Sequence, residues 1–439
     1  MSTSSIPPAP PTFREALAFW FKLGFISFGG PAGQIAIMHD FLVDKKRWIS
    51  NSKFLHALNY CMLLPGPEAQ QLATYTGWML HGTRGGLAAG ILFVLPSTII
   101  LLVLSVLYVR FGQVPAIQSV FDWLKPAVLA IVLAAVWKIG KKSLHTSLHW
   151  AVAALAFVGI FFFDVPFPLI IVGAILVGLA VHHFVPTHAQ SAKKNAAANA
   201  ADESAYLINA GTTVPGAGFS AGRLARQIGT GLLLWAVPFA LFFLCSADFD
   251  FWKKLSVFFT QAAFVTFGGA YAVLPYVAQV SVEKFGWLTD LQMIDGLALG
   301  ETTPGPLIMV LAFVGFMAGY NSFGGSLLAG TTGLLTTVFY TFLPSFVFIF
   351  AGAPVIERTH ENPAVKAVLN FATAAVTGVV LNLALYFGKA VVMPAPPEVR
   401  WLPLAWAAVS FVALQRFGVN MMWWIAASVG MGLVWFVVF

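Results

Sequence analysis

At 439 residues the chain is long enough for several soluble domains, yet 59% of it is hydrophobic and only 9% is charged, where a soluble domain carries about a quarter charged residues. Uncharged stretches such as 87–109 have no place on a water-facing surface, so the composition excludes a soluble protein and predicts an integral membrane one. The formal net charge of +7 comes from basic residues in short loops between apolar runs, the pattern of topology control rather than of nucleic-acid binding.

Residues 1–12 are polar and Pro-rich, without the basic start, apolar core and small-residue cleavage site of a signal peptide, so the first helix is expected to stay in the membrane. Apolar runs follow at 13–28, 54–80, 86–109, 123–140, 148–163 and 167–184. These are continuous runs, not short alternating strands, and in lipid a helix satisfies its own backbone. The expected fold class is all-α. Residues 185–224 have no apolar stripe and read as a flexible, solvated connector on the cytoplasmic side. A second set of runs lies at 226–246, 254–281, 291–320, 325–351, 364–388, 401–415 and 419–438. The expected organisation is an N-terminal repeat at 1–184, the connector at 185–224, a linking helix at 225–250 and a C-terminal repeat at 251–439.

The repeat is explicit. Residues 25–86 recur, ungapped, 239 positions later: Ser27-Phe28-Gly29-Gly30 answers Thr266-Phe267-Gly268-Gly269, Trp48 answers Trp287, and Pro65-Gly66-Pro67 answers Pro304-Gly305-Pro306. After a nine-residue insertion the register is 248, pairing Pro96-Ser97 with Pro344-Ser345 and Gly140-Lys141 with Gly388-Lys389. With six segments per repeat and one helix between, equivalent helices cross in opposite directions, an inverted repeat about an axis in the membrane plane. Charge agrees: loop 40–53 has a net charge of +2 and its counterpart 279–292 a net charge of −1, which puts the first loop in the cytoplasm. Runs 54–80 and 291–320 each hold a Pro-Gly-Pro and read either as one kinked helix or as a re-entrant hairpin. The last two runs of each half are near the lower limit for spanning.

Transporters built on inverted repeats bind substrate at helices interrupted by Gly and Pro in matching positions. Pro65, Gly66 and Pro67, like Pro304, Gly305 and Pro306, are suited to ending one helix and starting another, and each start exposes free N–H groups and a dipole end that attract an anion. A simple packing kink is the alternative. Gly29 and Gly30, like Gly268 and Gly269, either allow close helix contact or present N–H groups as an anion nest. If both features meet near the twofold axis, four breaks surround one small ligand. Gln70, Gln71, Thr302 and Thr303 stand ready either to hydrogen-bond an oxyanion or to satisfy backbone freed by the breaks.

Glu68 follows the first Pro-Gly-Pro and Glu301 precedes the second. Ionisable groups at that depth are candidates for carrying a coupling proton, although an acid in the first turn of a helix is favourable on its own account. Lys22 either neutralises a bound dianion or snorkels to the interface; Lys46 and Arg47 have no basic counterpart and serve topology or attract anions to the cytoplasmic mouth; Arg84 flanks a turn, as a solvated residue or a gate contact. Cys61 and Cys245 form no disulfide framework or metal site. With no nucleotide loop, zinc-ligand cluster, haem motif or paired catalytic carboxylates, neither an enzyme nor a cofactor is expected.

Phe25 to Pro31, Pro65 to Gln71, His81-Gly82-Thr83-Arg84-Gly85-Gly86, Phe267 to Pro275 and Glu301 to Pro306 together resemble the two-domain, long-chain chromate ion transporter family, over nearly the whole chain apart from the connector and the first dozen residues. The resemblance implies export of chromate from a bacterial cytoplasm across the inner membrane, driven by membrane potential or a proton gradient, with sulfate as the look-alike ion. Expected partners are then the oxyanion, the bilayer, protons as coupling ion and a second copy of the chain as homodimer. A passive anion channel using the same backbone donors is the competing function.

Overall fold

Thr12 accepts a hydrogen bond from the Glu15 N–H and so opens the first helix, and Ser50, Thr289 and Asp248 cap others in the same way. The structure, a computed structural model, describes residues 8–28, 30–184, 203–209, 211–212, 218–267, 269–356, 363–394 and 398–438. The first half consists of α1 (Phe13–Ile26), α2 (Gly30–His39) running into a π-helical turn (Asp40–Lys45), α3 (Asn51–Leu63), α4 (Glu68–Phe111), α5 (Pro115–Ser143), α6 (Ser147–Phe163) and α7 (Phe167–Phe184). Helix α8 (Ala221–Cys245) follows. The second half contains α9 (Phe249–Val265), α10 (Ala270–Ala278) with its π-helical turn (Gln279–Lys284), α11 (Asp290–Thr302), a 3-10 turn (Leu307–Met309) leading into α12 (Val310–Ser322), α13 (Leu327–Ile356), α14 (Pro363–Val392), α15 (Trp401–Gln415) and α16 (Met421–Val438). The two π-helical turns stand at the same 239-residue offset as the sequence repeat. Among the described residues there is no sheet, and seven helices have the length and apolar character to cross a bilayer. The protein is an all-α, multi-pass membrane protein.

Short helices make the re-entrant reading physical. A helix of 13 or 14 residues, such as α1, α3, α11 or α12, reaches about 20 Å and cannot cross a hydrocarbon core of about 30 Å. Instead α11 and α12 fold back on each other. A Cβ on Gly296 or Gly300 of α11 would strike Phe313 or Val310 of α12, so residue numbers rise on one helix as they fall on its neighbour. In the first half the equivalent pair is α3 and the start of α4, which also pack together. Helix α4 then bends back again at His81 (φ −139°, ψ 25°) and Gly82 (φ 61°, ψ −155°), as the chain does between α12 and α13, and Gly77 on its first arm packs against Ala89 on the second, where a Cβ would come within 2.6 Å.

Equivalent helices run in opposite directions. On the second arm of α4, Gly86 packs against Phe350 of α13 and Gly90 against Phe346, again with opposed numbering. Two copies related in this way share a twofold axis in the membrane plane. The halves also exchange their last two helices: α6 and α7 pack on α14, while α15 and α16 pack on α5. Gly178 seats on the Val368 backbone as Gly432 seats on the Val120 backbone, each too close for a Cβ. Small residues are the usual means of such approach in lipid. Helix α8 has no counterpart; of its side Gly231 is buried, and Trp235 Nε1 donates to Thr260 Oγ1 at 2.9 Å.

The stretch expected to be a flexible connector is described only in part. There, Ile208 N–H donates to the Trp48 carbonyl (3.0 Å), Ser50 N–H donates to the Ile208 carbonyl (2.8 Å), and Ile208 is buried. Loop 47–50 has backbone groups that no helix satisfies, and this short extended segment supplies their partners.

Candidate functional site

The interrupted helices hold each other by their backbones. Ser27 and Thr266 turn their hydroxyls back to donate to the carbonyls of Leu23 and Ala262, each at 2.6 Å. Their own carbonyls point out of the helix. The Thr266 carbonyl accepts the Gly66 N–H at 2.8 Å, and the Ser27 carbonyl accepts the Gly305 N–H at 2.8 Å. Each Pro-Gly-Pro is thus held by the helix-ending Ser27 or Thr266 of the opposite half. Gly66 (φ 121°) and Gly305 (φ 99°) adopt backbone that other residues rarely reach. Ser345 lies against Gly66, as Ser97 lies against Gly305, and Ser97 Oγ donates to the Pro304 carbonyl.

Around these bonds several helices begin. Pro67 precedes α4 and Gly269 (φ 100°) precedes α10, neither with a side-chain cap, and α2 starts at Gly30 (φ 71°). Pro306 precedes the 3-10 turn that opens α12, again uncapped. Uncapped first-turn N–H groups are donors for a ligand with acceptor oxygens, and the dipole favours negative charge there. Gln71 Nε2 donates to the Pro65 carbonyl (2.8 Å) and Gln70 Nε2 to Thr74 Oγ1 (3.1 Å), while both amide oxygens are buried without a hydrogen-bond partner among the described residues. The hydroxyls of Thr302 and Thr303 donate back to the carbonyls of Leu299 and Gly300, which leaves only their lone pairs for other contacts. Gly29 and Gly268 lie outside the described residues.

Glu301 is buried and accepts a 2.6 Å hydrogen bond from the Tyr271 hydroxyl. Glu68 is half-buried as the first residue of α4. The two acids do not exchange under the repeat, since Met62 and Leu307 occupy the equivalent positions. None of the four cations singled out by sequence lies among the breaks. Lys22 is exposed on α1, Arg47 is exposed with φ 50°, and Arg84 is exposed just past the α4 interruption. Lys46 pairs with Glu15 at 2.8 Å and covers the Trp48 ring at 5.6 Å.

Gln34, Tyr271, Ser97 and Ser345 were not among the sequence candidates. Gln34 is fully buried, and its Nε2 donates to the carbonyls of Gly305 (2.6 Å) and Ser27 (3.2 Å), tying α2 to both breaks. Its signal in the sequence was a lone amide in an apolar helix one turn after the paired glycines. Ser97 and Ser345 were visible only as a matched Pro-Ser pair.

Inverted repeats that bring uncapped helix starts together, with few charges nearby, define a membrane transport protein of the broken-helix kind. Comparison with known proteins gives the family. The chromate transporter family model matches residues 14–179 and 253–433, and the chain belongs to that family. It is 28% identical over 403 residues to a chromate transport protein of Cupriavidus metallidurans, covering 90% of this chain and 88% of that one. It is 31% identical over 386 residues to a chromate transport protein of Pseudomonas aeruginosa, covering 86% and 82% respectively. A probable chromate transport protein of Synechococcus elongatus is 28% identical over 381 residues, covering 86% and 85%. No solved structure matches the chain.

Proposed function

We propose that this protein is a secondary active transporter that exports chromate across the inner membrane, energised by a proton gradient or the membrane potential. The reciprocal bonds Gly66–Thr266 and Gly305–Ser27 carry the reading. They bring together helix starts that have donors to spare, and a tetrahedral dianion suits convergent N–H groups without a lysine in the membrane. The names of the similar proteins supply the ion. Sulfate has the same charge and shape, so it is the expected competitor, to be rejected by small differences in hydrogen bonding and pocket size. Glu301, with Tyr271 as its partner, and Glu68 are the proposed proton carriers. Loop 40–53, with its excess of basic residues, is assigned to the cytoplasm.

The test is flux in proteoliposomes. Chromate should accumulate against its own gradient when a proton gradient is imposed, and sulfate should compete. Mere equilibration under the same gradient is the behaviour of a channel and would replace this reading.

Lys46 and Arg47 are given the lesser role of concentrating anions at the cytoplasmic mouth. The double variant Lys46→Ala/Arg47→Ala is expected to lower the initial chromate rate about threefold at low ionic strength, a loss that disappears at about 1 M salt, where screening has removed the attraction. A loss independent of salt would assign these residues to the fold.

A further inference from the structure

One ion pair with a buried carboxylate breaks the symmetry of the two halves. Lys125 on α5 lies 3.5 Å from Asp295 Oδ1 on α11 and 3.6 Å from Asp122 Oδ1 one turn earlier on its own helix. Asp295 is buried, its Oδ2 accepts a 2.9 Å hydrogen bond from the Tyr108 hydroxyl, and its Oδ1 has no hydrogen-bond partner among the described residues. The positions equivalent to Lys125 and Asp295 hold Thr373 and His56, and those equivalent to Asp122 and Tyr108 hold Asn370 and Ile356. No such carboxylate–ammonium pair exists across the twofold.

Neither ion-pair distance, 3.5 Å nor 3.6 Å, is that of an N–H···O hydrogen bond, which falls at about 2.7–3.2 Å. The ammonium therefore keeps donors to offer. It faces a cavity of about 620 Å³ lined also by Asp122, Arg400 and the rings of Trp123 and Trp406. The Lys125 side chain is 14% exposed, enough for a ligand to reach it. A buried carboxylate in a pair with loose geometry recovers little of its desolvation cost, which argues against a purely structural role. Two cations, Lys125 and Arg400, stand against Asp122 in the cavity and Asp295 behind it, so the site is near neutral by itself and would hold a dianion weakly. Weak holding is what a station on a transport path requires. Position also fits: Asp295 and Thr302 lie two turns apart on one face of α11, about 10 Å along its axis, and Thr302 borders the central break.

We infer that the cavity in front of Lys125 is a second station for a small oxyanion, on the path between solvent and the central breaks. The arriving dianion takes the Lys125 ammonium away from Asp295, which keeps its Tyr108 hydrogen bond, and Arg400 supplies further donors from the rim. This inference rests on the transport reading above and adds a site to it.

The experiment uses the full-length chain in proteoliposomes, carrying Cys245→Ser and Gln118→Cys, with an anionic methanethiosulfonate as label and sulfate as the probe. Gln118 borders the cavity, and the other native thiol, Cys61, is buried. Sulfate is expected to slow labelling at position 118 at least about fivefold. Adding Lys125→Met with Asp295→Asn, a neutral pair that leaves no buried charge unpartnered, should abolish that protection. The same pair of changes should lower chromate flux about tenfold at low concentration and less than about threefold at saturation, the signature of lost binding rather than lost translocation. Lys125→Arg should retain both protection and flux. Labelling that ignores sulfate, or a neutral double variant that moves chromate like its parent at every concentration, would overturn the station. If the parent moves no chromate while sulfate still protects position 118, the transport reading fails and the anion site stands.

Discussion

Gly66→Ala is expected to reduce chromate flux by about thirty- to thousandfold, from about 2–4 kcal/mol of backbone strain and lost hydrogen bonding at the centre of the proposed site. The φ of 121° is one that alanine rarely adopts, and its Cβ would stand 2.5 Å from Ser345 Oγ and 2.7 Å from Gln71 Nε2. Gln71 has little room to retreat because its amide is tied to the Pro65 carbonyl. Any shift of the backbone stretches the Gly66–Thr266 bond, which is one of the two backbone-to-backbone bonds joining the halves at the breaks. Gly66→Ala/Ser345→Gly removes one of the two steric contacts and leaves the φ strain, so it should recover part of the flux. Gly305→Ala should repeat the loss on the other side of the twofold, with φ of 99°. Gly173→Ala on α7, with nothing near the added methyl group and no unusual φ, is the control and should transport normally. Flux measured in proteoliposomes at matched protein content decides it. A Gly66→Ala protein that transports like its parent would show that the breaks are packing kinks and not the site.

The second large effect is expected at Glu301. Glu301→Gln has nearly the same shape, and its amide oxygen can still accept the Tyr271 hydroxyl bond that the carboxylate accepts at 2.6 Å. What it loses is the ability to take up and release a proton. Accumulation of chromate driven by an imposed proton gradient should fall at least about tenfold, while exchange of labelled for unlabelled chromate with no gradient stays within about threefold. Tyr271→Phe leaves the acid and removes one hydrogen bond, so its loss should be smaller. Equal loss of driven and exchange flux in Glu301→Gln would make the residue part of the binding site, and full retention of driven accumulation would end its assignment as proton carrier.

Much of this architecture was legible before any coordinates. The ungapped offset between Ser27-Phe28-Gly29-Gly30 and Thr266-Phe267-Gly268-Gly269 is a statement about backbone, because glycine and proline act through φ and a missing N–H wherever they stand. Apolar runs and the basic loop 40–53 likewise act through solvent alone. The partners of Gln34 and Tyr271 were not legible, since a buried amide or hydroxyl is defined by a group that can lie hundreds of residues away; Gln34 bonds to Gly305 across the two halves. Lys125 and Asp295 escaped for the same reason, each an ordinary charged residue until α5 and α11 meet.

The sequence by itself determined a duplicated all-α membrane protein with breaks at 27–30, 65–67, 266–269 and 304–306 and the family motifs around them, because composition, repeat register and turn chemistry are local or additive properties. Only the tertiary structure decided that 54–80 folds back and does not continue, that each Pro-Gly-Pro bonds to the other half, and that one unsymmetric ion pair sits beside a cavity. Those outcomes depend on which backbone groups lose water together and must find partners in each other, and that is settled only when distant segments are brought into contact.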